Sequence, residues 1–233
     1  MLIKILSMNI HKGYGWYGKK STLPLLANHL NELPLDLIFF QEILGKHAEF
    51  LVKDTWNFSY GKNVTHPENH YGNAILSKFP ISFSENFDIS THRLEHRGLL
   101  YSVIDISSSK SLHLLCVHLG LFKKSRLKQL TFIVDHVKSH IPDDEPVILA
   151  GDFNDWTTNA TKILIKELRL EEVFLKTKKS YAKTFPAWAP FLHLDRIYCR
   201  DLEVIQTNRL IDPSWKKLSD HIGLYVTLKL SRK

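Results

Sequence analysis

Cysteine is scarce in this chain, since only Cys116 and Cys199 occur among 233 residues. Both lie inside apolar runs typical of strands, which favours buried free thiols over a disulfide. No window approaches the ~18 consecutive apolar residues that a membrane span needs. The apolar run at residues 1–6 is too short for a signal peptide. We therefore expect the mature protein to begin at or near Met1 and to work in the cytoplasm.

Repeats, low-complexity tracts and linkers are also missing, which predicts a single domain over residues 1–233. The hydrophobic fraction of 44% is that of a globular protein with a substantial core. The formal net charge is +7. Such a charge favours anionic partners, whether nucleic acid, phosphorylated small molecules or acidic lipid surfaces. Nothing in the composition indicates an obligate protein partner.

Apolar periodicity divides the chain into strands and helices. Strands are predicted over 2–8, 35–41, 71–77, 98–106, 111–117, 147–150, 194–199 and 224–230. Helices are predicted over 23–33, where Ser21 is the expected N-cap, over 125–141 and over 159–168. Two groups of strands, each carrying helices, indicate an α/β fold of two sheets packed face to face with helices outside.

Short polar motifs lie at the ends of these strands, at Asn9, Glu42, His118, Asp152, Asn154, Asp195, Asp220 and His221. Each has an ordinary structural interpretation, such as a turn, a cap or a satisfied core histidine. A carboxylate at the end of a buried strand is nevertheless costly unless it is paired or metal-bound. So many such side chains at strand ends predict one polar rim, suited to a metal-assisted attack of water on a phosphoester.

The donor atoms of these motifs indicate which metal would bind and which two residues form an acid–base pair. Carboxylate and amide oxygens, without a cysteine cluster or a His-Glu-x-x-His pattern, favour Mg²⁺, with Mn²⁺ or Ca²⁺ as alternatives. Asp195 is flanked by apolar residues and needs a buried partner. His221 is the natural candidate, because a carboxylate fixes its tautomer and stabilises the imidazolium.

The order of these motifs resembles the endonuclease/exonuclease/phosphatase superfamily, and the resemblance runs from Asn9 to His221. Its most specific segments are GDFN at 151–154, LDRI at 194–197 and SDH at 219–221. The stretches at 71–77 and 96–99 are also similar to family segments. The chain is most similar to a small bacterial subgroup of unassigned substrate. The resemblance implies a four-layer α/β/β/α sandwich of the DNase I type, with two mixed sheets.

The resemblance also implies roles for the polar rim. Glu42 matches the principal metal ligand, with Asn9 and Asp220 nearby. Asp152 and Asn154 match the pair that orients the attacking water and contacts the phosphate or a second metal. His221 matches the general base or phosphate-contacting group, and Asp195 matches its orienting carboxylate. His118 matches a second imidazole, which Asn73 would orient. Arg97 matches a phosphate-binding arginine.

Substrate contacts are expected from Tyr71 and from the loop 11–20, which includes Lys12. The glycines of this loop permit close approach, its aromatic rings can stack on bases, and its lysines attract phosphates. The favoured function is a phosphodiesterase or nuclease acting on DNA or RNA. The alternatives are a phosphoesterase acting on a lipid headgroup or small phosphorylated metabolite, and a catalytically idle phosphate-binding module.

At two places this sequence differs from known groups of the family, and each difference argues against the substrate of that group. AP endonucleases usually have tyrosine where this chain has His118, which argues against a role at abasic sites. Inositol 5-phosphatases carry Trp-Cys-Asp-Arg where this chain has His193-Leu194-Asp195-Arg196. The arrangement of two histidines is closer to DNase I and the sphingomyelinases.

Overall fold

The computed structural model describes residues 1–16, 18, 20–51, 55–65, 70–107 and 110–230. Its strands are β1 (Leu2–Asn9), β2 (Leu37–Leu44), β3 (Asn57–Thr65), β4 (His70–Ser77), β5 (Ile81–Asp88), β6 (Gly98–Ser107), β7 (Lys110–His118), β8 (Val147–Asp152), β9 (Glu171–Glu172), β10 (Asp195–Arg200), β11 (Leu202–Arg209) and β12 (Leu224–Leu230). Its α-helices are α1 (Leu23–Glu32), α2 (Gly45–Leu51), α3 (Lys123–His140), α4 (Asn159–Leu168), α5 (Val173–Lys178) and α6 (Pro213–Lys216).

The strands form two mixed sheets of six strands each. The first has the order β11-β12-β1-β2-β4-β3, and the second has the order β5-β6-β7-β8-β10-β9. Within each sheet one neighbouring pair is parallel, β1 with β2 in the first and β7 with β8 in the second. The other neighbours are antiparallel.

Three apolar clusters give the molecule its layers. Between the sheets, side chains such as Ile5 and Phe39 of the first sheet pack with Leu114 and Ile148 of the second. Residues of α3 and α4 cover the outer face of the second sheet. Residues of α1 cover the outer face of the first sheet, together with Trp215 of α6. The predicted four-layer α/β/β/α sandwich is confirmed.

Most predicted elements are present, with shifted ends. Helix α4 and strand β12 have the predicted bounds, and both cysteines are free and buried, as expected. The predicted cap is wrong, because the N-cap of α1 is Thr22, whose Oγ1 donates to the carbonyl of Leu218. Residues 108 and 109, between the predicted strands 98–106 and 111–117, and residues 17 and 19 of the loop 11–20 lie outside the described residues.

No helix among the described residues is long and apolar enough to cross a bilayer.

Candidate active site

Acidic, amide and imidazole side chains from both sheets meet at one end of the sandwich. Strands β1, β7 and β8 end at Asn9, His118 and Asp152. The sheet register pairs His118 with Asp152, and it places Asp195, the first residue of antiparallel β10, opposite Asp152. The strand ends therefore bring these side chains to the same edge, as the sequence predicts.

Asp152 joins the polar groups of the two sheets. Its Oδ2 accepts a hydrogen bond of 3.2 Å from Nδ2 of Asn9. The same oxygen lies 3.6 Å from Nε2 of His118 and 3.8 Å from Nε2 of His221. Its Oδ1 accepts a hydrogen bond of 2.9 Å from the backbone N–H of Asn154. One buried carboxylate oxygen thus lies beside an amide and two imidazoles.

His221 and Asp195 form the predicted pair. Nδ1 of His221 lies 2.8 Å from Oδ2 of Asp195, and both side chains are buried. The ring of His221 also contacts the ring of Phe185, at 4.9 Å between centroids. Because Asp195 occupies Nδ1, Nε2 remains directed toward Asp152. The pairing fixes the tautomer and orientation of the imidazole.

The two histidines have opposite pKa shifts. Burial disfavours the charged form of His221, but the carboxylates of Asp195, Asp152 and Asp220 outweigh burial and raise its pKa to about 10. Burial lowers the pKa of His118 to about 3, and neighbouring cations oppose its protonation further. At neutral pH, and without a bound cation, His221 is protonated and His118 is neutral.

Glu42 lies within a β-bulge rather than after the end of a strand. The register between β2 and β4 shifts between Phe40 and Ile43, and Glu42 has a φ of +53°. The prediction that the strand stops at Gln41 is therefore wrong, because β2 continues to Leu44. A bulge bends the strand and re-aims one side chain. Here the bulge lets Glu42 reach Asn9, and Nδ2 of Asn9 donates a hydrogen bond of 3.4 Å to Oε1 of Glu42.

Asn9 bridges two carboxylates through its amide nitrogen. Nδ2 donates to both Glu42 and Asp152, while Oδ1 accepts a hydrogen bond of 3.0 Å from the backbone N–H of His11. Metal ligation through Oδ1 would require the amide to turn over, and the N–H of His11 would lose its acceptor. In this arrangement Asn9 positions the two acids.

Asp220 lies next to this group and is partly exposed. Its Oδ1 is 3.2 Å from the hydroxyl of Ser219 and 3.9 Å from Nδ1 of His11. The Ser219 hydroxyl donates to the carbonyl of Asn9 at 2.7 Å and accepts from the N–H of His221 at 3.2 Å. Ser219 therefore fixes the segment that carries both Asp220 and His221.

The donor set fits a hard divalent cation. Carboxylates of Glu42, Asp152 and Asp220 lie around Asn9, and oxygen donors are what Mg²⁺ prefers. Donor atoms of Asp152, Asp195 and His221 lie within 4.8 Å of one another, which is also a possible metal site. The hydrogen bond between Asp195 and His221 accounts for that second grouping, so the oxygen-rich group around Glu42 suits Mg²⁺ better.

Asn154 and Asn73 are both buried and bind backbone carbonyls. Nδ2 of Asn154 donates to the carbonyl of Leu119 at 2.9 Å. Nδ2 of Asn73 donates to the carbonyls of Gly98 and Cys116 in the opposite sheet, at 2.9 and 3.2 Å. Within the described residues, no hydrogen bond joins Asn73 to His118. Asn73 therefore ties the two sheets together just below the polar group, and does not orient the imidazole through a hydrogen bond.

Arg97, Tyr71 and Lys12 lie at the margin of the polar group. Arg97 and Tyr71 line one pocket of about 170 Å³. Nη1 of Arg97 donates to the carbonyl of His96, while its buried Nε has no hydrogen-bond partner. Nζ of Lys12 lies 4.5 Å from the centroid of the Tyr71 ring. A cationic margin suits an anionic substrate.

Gly151 sets the distance between β7 and β8, because its φ is +144° and a Cβ there would lie 2.0 Å from the carbonyl oxygen of Val117. Only glycine avoids this clash with backbone. The glycine before Asp152 thus permits the parallel pairing that places Asp152 beside His118.

The sequence interpretation missed a buried ion pair behind the polar group. Nη1 of Arg196 lies 3.4 Å from Oδ2 of Asp155, and both side chains are almost fully buried. Asp155 also accepts hydrogen bonds from the backbone N–H groups of Thr157 and Ala160. The pair therefore fixes the segment that follows Asp152 and Asn154. Its signal in the sequence was an arginine next to Asp195 in an apolar run.

Replacing Asp155 by alanine is expected to lower the free energy of unfolding by about 3–5 kcal/mol, because Arg196 would remain buried without its counter-ion. Urea unfolding measures the change. The matched control is Glu167→Ala, which breaks the exposed pair between Glu167 and Lys138. Exposed pairs contribute little. Equal stability of the two variants would contradict the role assigned to Asp155.

The chain is similar to known proteins in sequence and in fold. The model of the Endonuclease/Exonuclease/phosphatase family matches residues 6–221. The uncharacterized protein YbhP of Escherichia coli strain K12 is 37% identical over 244 residues, covering 97% of this chain and 96% of YbhP. The solved endonuclease/exonuclease/phosphatase from Bacteroides vulgatus has a TM-score of 0.82 at 15% identity, covering 99% of this chain and 100% of that one. The D. rerio TDP2 structure complexed with single strand DNA product has a TM-score of 0.76 at 21% identity, covering 98% and 99%.

Proposed function

The chain belongs to the endonuclease/exonuclease/phosphatase family, and on that premise we propose that it is a divalent-metal-dependent phosphodiesterase. Members of this family are phosphoester hydrolases. The observation that carries the proposal is the position of Asp152 Oδ2, beside Asn9 Nδ2 and the Nε2 atoms of His118 and His221. Such a group can orient a water molecule and a phosphate at the same time.

In the proposed reaction, a water oxygen adds to phosphorus, one P–O ester bond breaks, and the leaving oxygen departs with the bonding electron pair. Asp152 accepts a hydrogen bond from the attacking water and orients it. His221, neutral when the charge of the carboxylates is balanced, accepts the proton of the water at Nε2, and the imidazolium so formed donates Nε2–H to a phosphate oxygen. When bound, a divalent cation would stabilise the phosphate charge and balance the carboxylates that raise the pKa of His221.

The other residues bind and orient the substrate. Glu42, Asp152 and Asp220 would hold the cation, with Asn9 positioning the first two. Neutral His118 and the guanidinium of Arg97 would be further hydrogen-bonding groups for the phosphate. Asn154 restrains the segment after Asp152. None of these contacts selects between a polynucleotide and another phosphodiester, because all of them are made to the phosphate. The substrate class therefore depends on the loops that surround this group of phosphate-contacting residues.

Removal of divalent cations is expected to reduce hydrolysis of bis(p-nitrophenyl) phosphate to the background rate. The reason is that three carboxylates around Asn9 would repel an anionic phosphate unless a cation lies between them. Release of p-nitrophenolate is measured after EDTA treatment and again after Mg²⁺, Mn²⁺ or Ca²⁺ is added in excess. Recovery with Mg²⁺ is the expected result. Full activity in EDTA would reject the metal-dependent reaction.

A further inference from the structure

Large apolar side chains project into solvent from the loops around the candidate site. On one side are Leu94, Leu121 and Phe122, which are 89%, 56% and 67% exposed. On the other side are Trp188 and Phe191, which are 65% and 63% exposed. Clusters of exposed apolar side chains bordered by polar residues commonly mark interaction surfaces. We call these five side chains the apolar rim.

The loops that carry the apolar rim leave the second sheet at the edge where Asp152 lies. Leu94 is in the loop before β6, and Leu121 and Phe122 are in the loop after β7. The register pairs Leu99 of β6 with Val117 of β7. Trp188 and Phe191 precede β10, whose first residue is opposite Asp152. The rim therefore borders the edge at which the phosphate would bind.

Contacts connect each side of the rim with the candidate site. Leu94, Leu121 and Phe122 line the same pocket as Arg97 and Tyr71. This side of the rim is therefore continuous with the cationic margin described above.

On the opposite side, aromatic rings form a continuous path to the imidazole. The rings of Trp188 and Trp16 are 6.3 Å apart, those of Trp16 and Phe185 are 6.1 Å apart, and Phe185 contacts His221. Trp16 and Trp188 also line a groove of about 540 Å³. Apolar surface thus extends from the candidate site to the outside of the molecule.

Cationic side chains flank both sides of the apolar rim. Arg93, Lys123 and Lys124 are exposed beside the first side, and Lys20, Lys216 and Lys217 lie along the groove on the second. Of the nearby acids, Glu95 and Asp155 are buried and hydrogen-bonded, and Asp212 is exposed among these cations. The outer surface around the site is therefore basic as well as apolar.

We infer that this rim docks on the surface of an anionic phospholipid bilayer and presents a lipid phosphodiester to the candidate site; this rests on the proposed phosphodiesterase function. Apolar tips within a basic surface are the composition of proteins that lie at the headgroup boundary. A single-stranded nucleic acid would instead be bound in a basic groove by rings on which successive bases stack. Leu94 and Leu121 offer no ring, and Leu94 is the most exposed of the set.

Sedimentation of the full chain with vesicles tests the docking. Vesicles of phosphatidylcholine mixed with phosphatidylglycerol should carry the protein into the pellet at low salt, and vesicles of phosphatidylcholine alone should bind it much less. Added salt should weaken binding to the mixed vesicles, because each lysine near an anionic surface contributes about a fivefold effect. Equal binding to both kinds of vesicle, or binding to neither, would overturn the inference.

A matched pair of double variants locates the contact. Leu94→Ser with Phe122→Ser removes two apolar tips and is expected to weaken binding to the mixed vesicles by at least about tenfold. Ile165→Ser with Ile205→Ser also removes two exposed apolar side chains, but from α4 and β11. The control pair should bind as the wild type does. An equal loss in both double variants would show that the rim is not the contact.

Two further measurements separate the possible outcomes. Vesicle binding is measured by sedimentation, whereas phosphodiesterase activity is measured with soluble bis(p-nitrophenyl) phosphate. Either the docking or the activity can therefore be contradicted without the other. Binding of a single-stranded oligonucleotide without vesicle binding would assign the rim to nucleic acid and overturn the inference. A dimer in solution that dissociates in the Leu94→Ser and Phe122→Ser variant would assign it to a second copy, with the same consequence.

Discussion

Replacing His221 by alanine is expected to lower kcat on bis(p-nitrophenyl) phosphate by about 10²–10⁴-fold, the usual range for loss of a positioned acid or base. The variant removes the Nε2 atom that lies 3.8 Å from Asp152 and leaves Asp195 without its partner. His118 lies beside the same Asp152 oxygen, but burial lowers its pKa to about 3, so we do not expect it to replace a protonated His221. Steady-state kinetics at saturating Mg²⁺ measure the change.

Two companion variants make the result interpretable. Asp195→Asn keeps the His221 ring in place but removes the carboxylate that stabilises its charge, so an intermediate loss of kcat is expected. His140→Ala removes an exposed histidine at the end of α3 and should leave kcat unchanged. A His221→Ala enzyme as active as the wild type would remove His221 from the reaction.

The fold was largely predictable because its central strands are almost wholly apolar. Strands such as β1, β2 and β8 are buried on both faces, so their sequences are continuous apolar runs with few competing interpretations. Edge strands β5 and β11 were missed because exposed polar residues dominate them. Strand β3 was missed for a related reason, since Asn57, Ser59, Lys62 and Asn63 interrupt its apolar pattern at the edge of the first sheet.

The candidate site was predictable as a set of residue types but not as a network. The positions of the strand ends indicated which side chains would lie close together. The pairing of His221 with Asp195 followed from the expected burial of Asp195 alone. The backbone that arranges them was not visible in the sequence. The bulge at Glu42 depends on register with β4, and the amide orientation of Asn9 depends on the N–H of His11. Both arise from contacts between segments, which no local pattern encodes.

Glu42→Gln is expected to reduce the affinity for Mg²⁺ by at least about 100-fold and kcat/KM with it, because even partners outside the ligand shell commonly contribute 10–100-fold. The side chain has the same size, so the fold should be unchanged. Thermal unfolding gives a readout independent of activity, since a ligand that binds only the native state raises Tm. Mg²⁺ should raise the Tm of the wild type and of Glu85→Gln, an exposed carboxylate on β5, but not that of Glu42→Gln.

The backbone at Glu42 adds a second expectation. A left-handed conformation costs a residue other than glycine about 1–2 kcal/mol, and φ is +53° at Glu42. Glu42→Gly would relieve this strain, although the unfolded chain would gain about 0.5–1 kcal/mol of conformational freedom. The glycine variant should therefore be as stable as the wild type without Mg²⁺, yet inactive. A marked loss of stability together with retained Mg²⁺-dependent activity would mean that Glu42 serves the fold and not the cation.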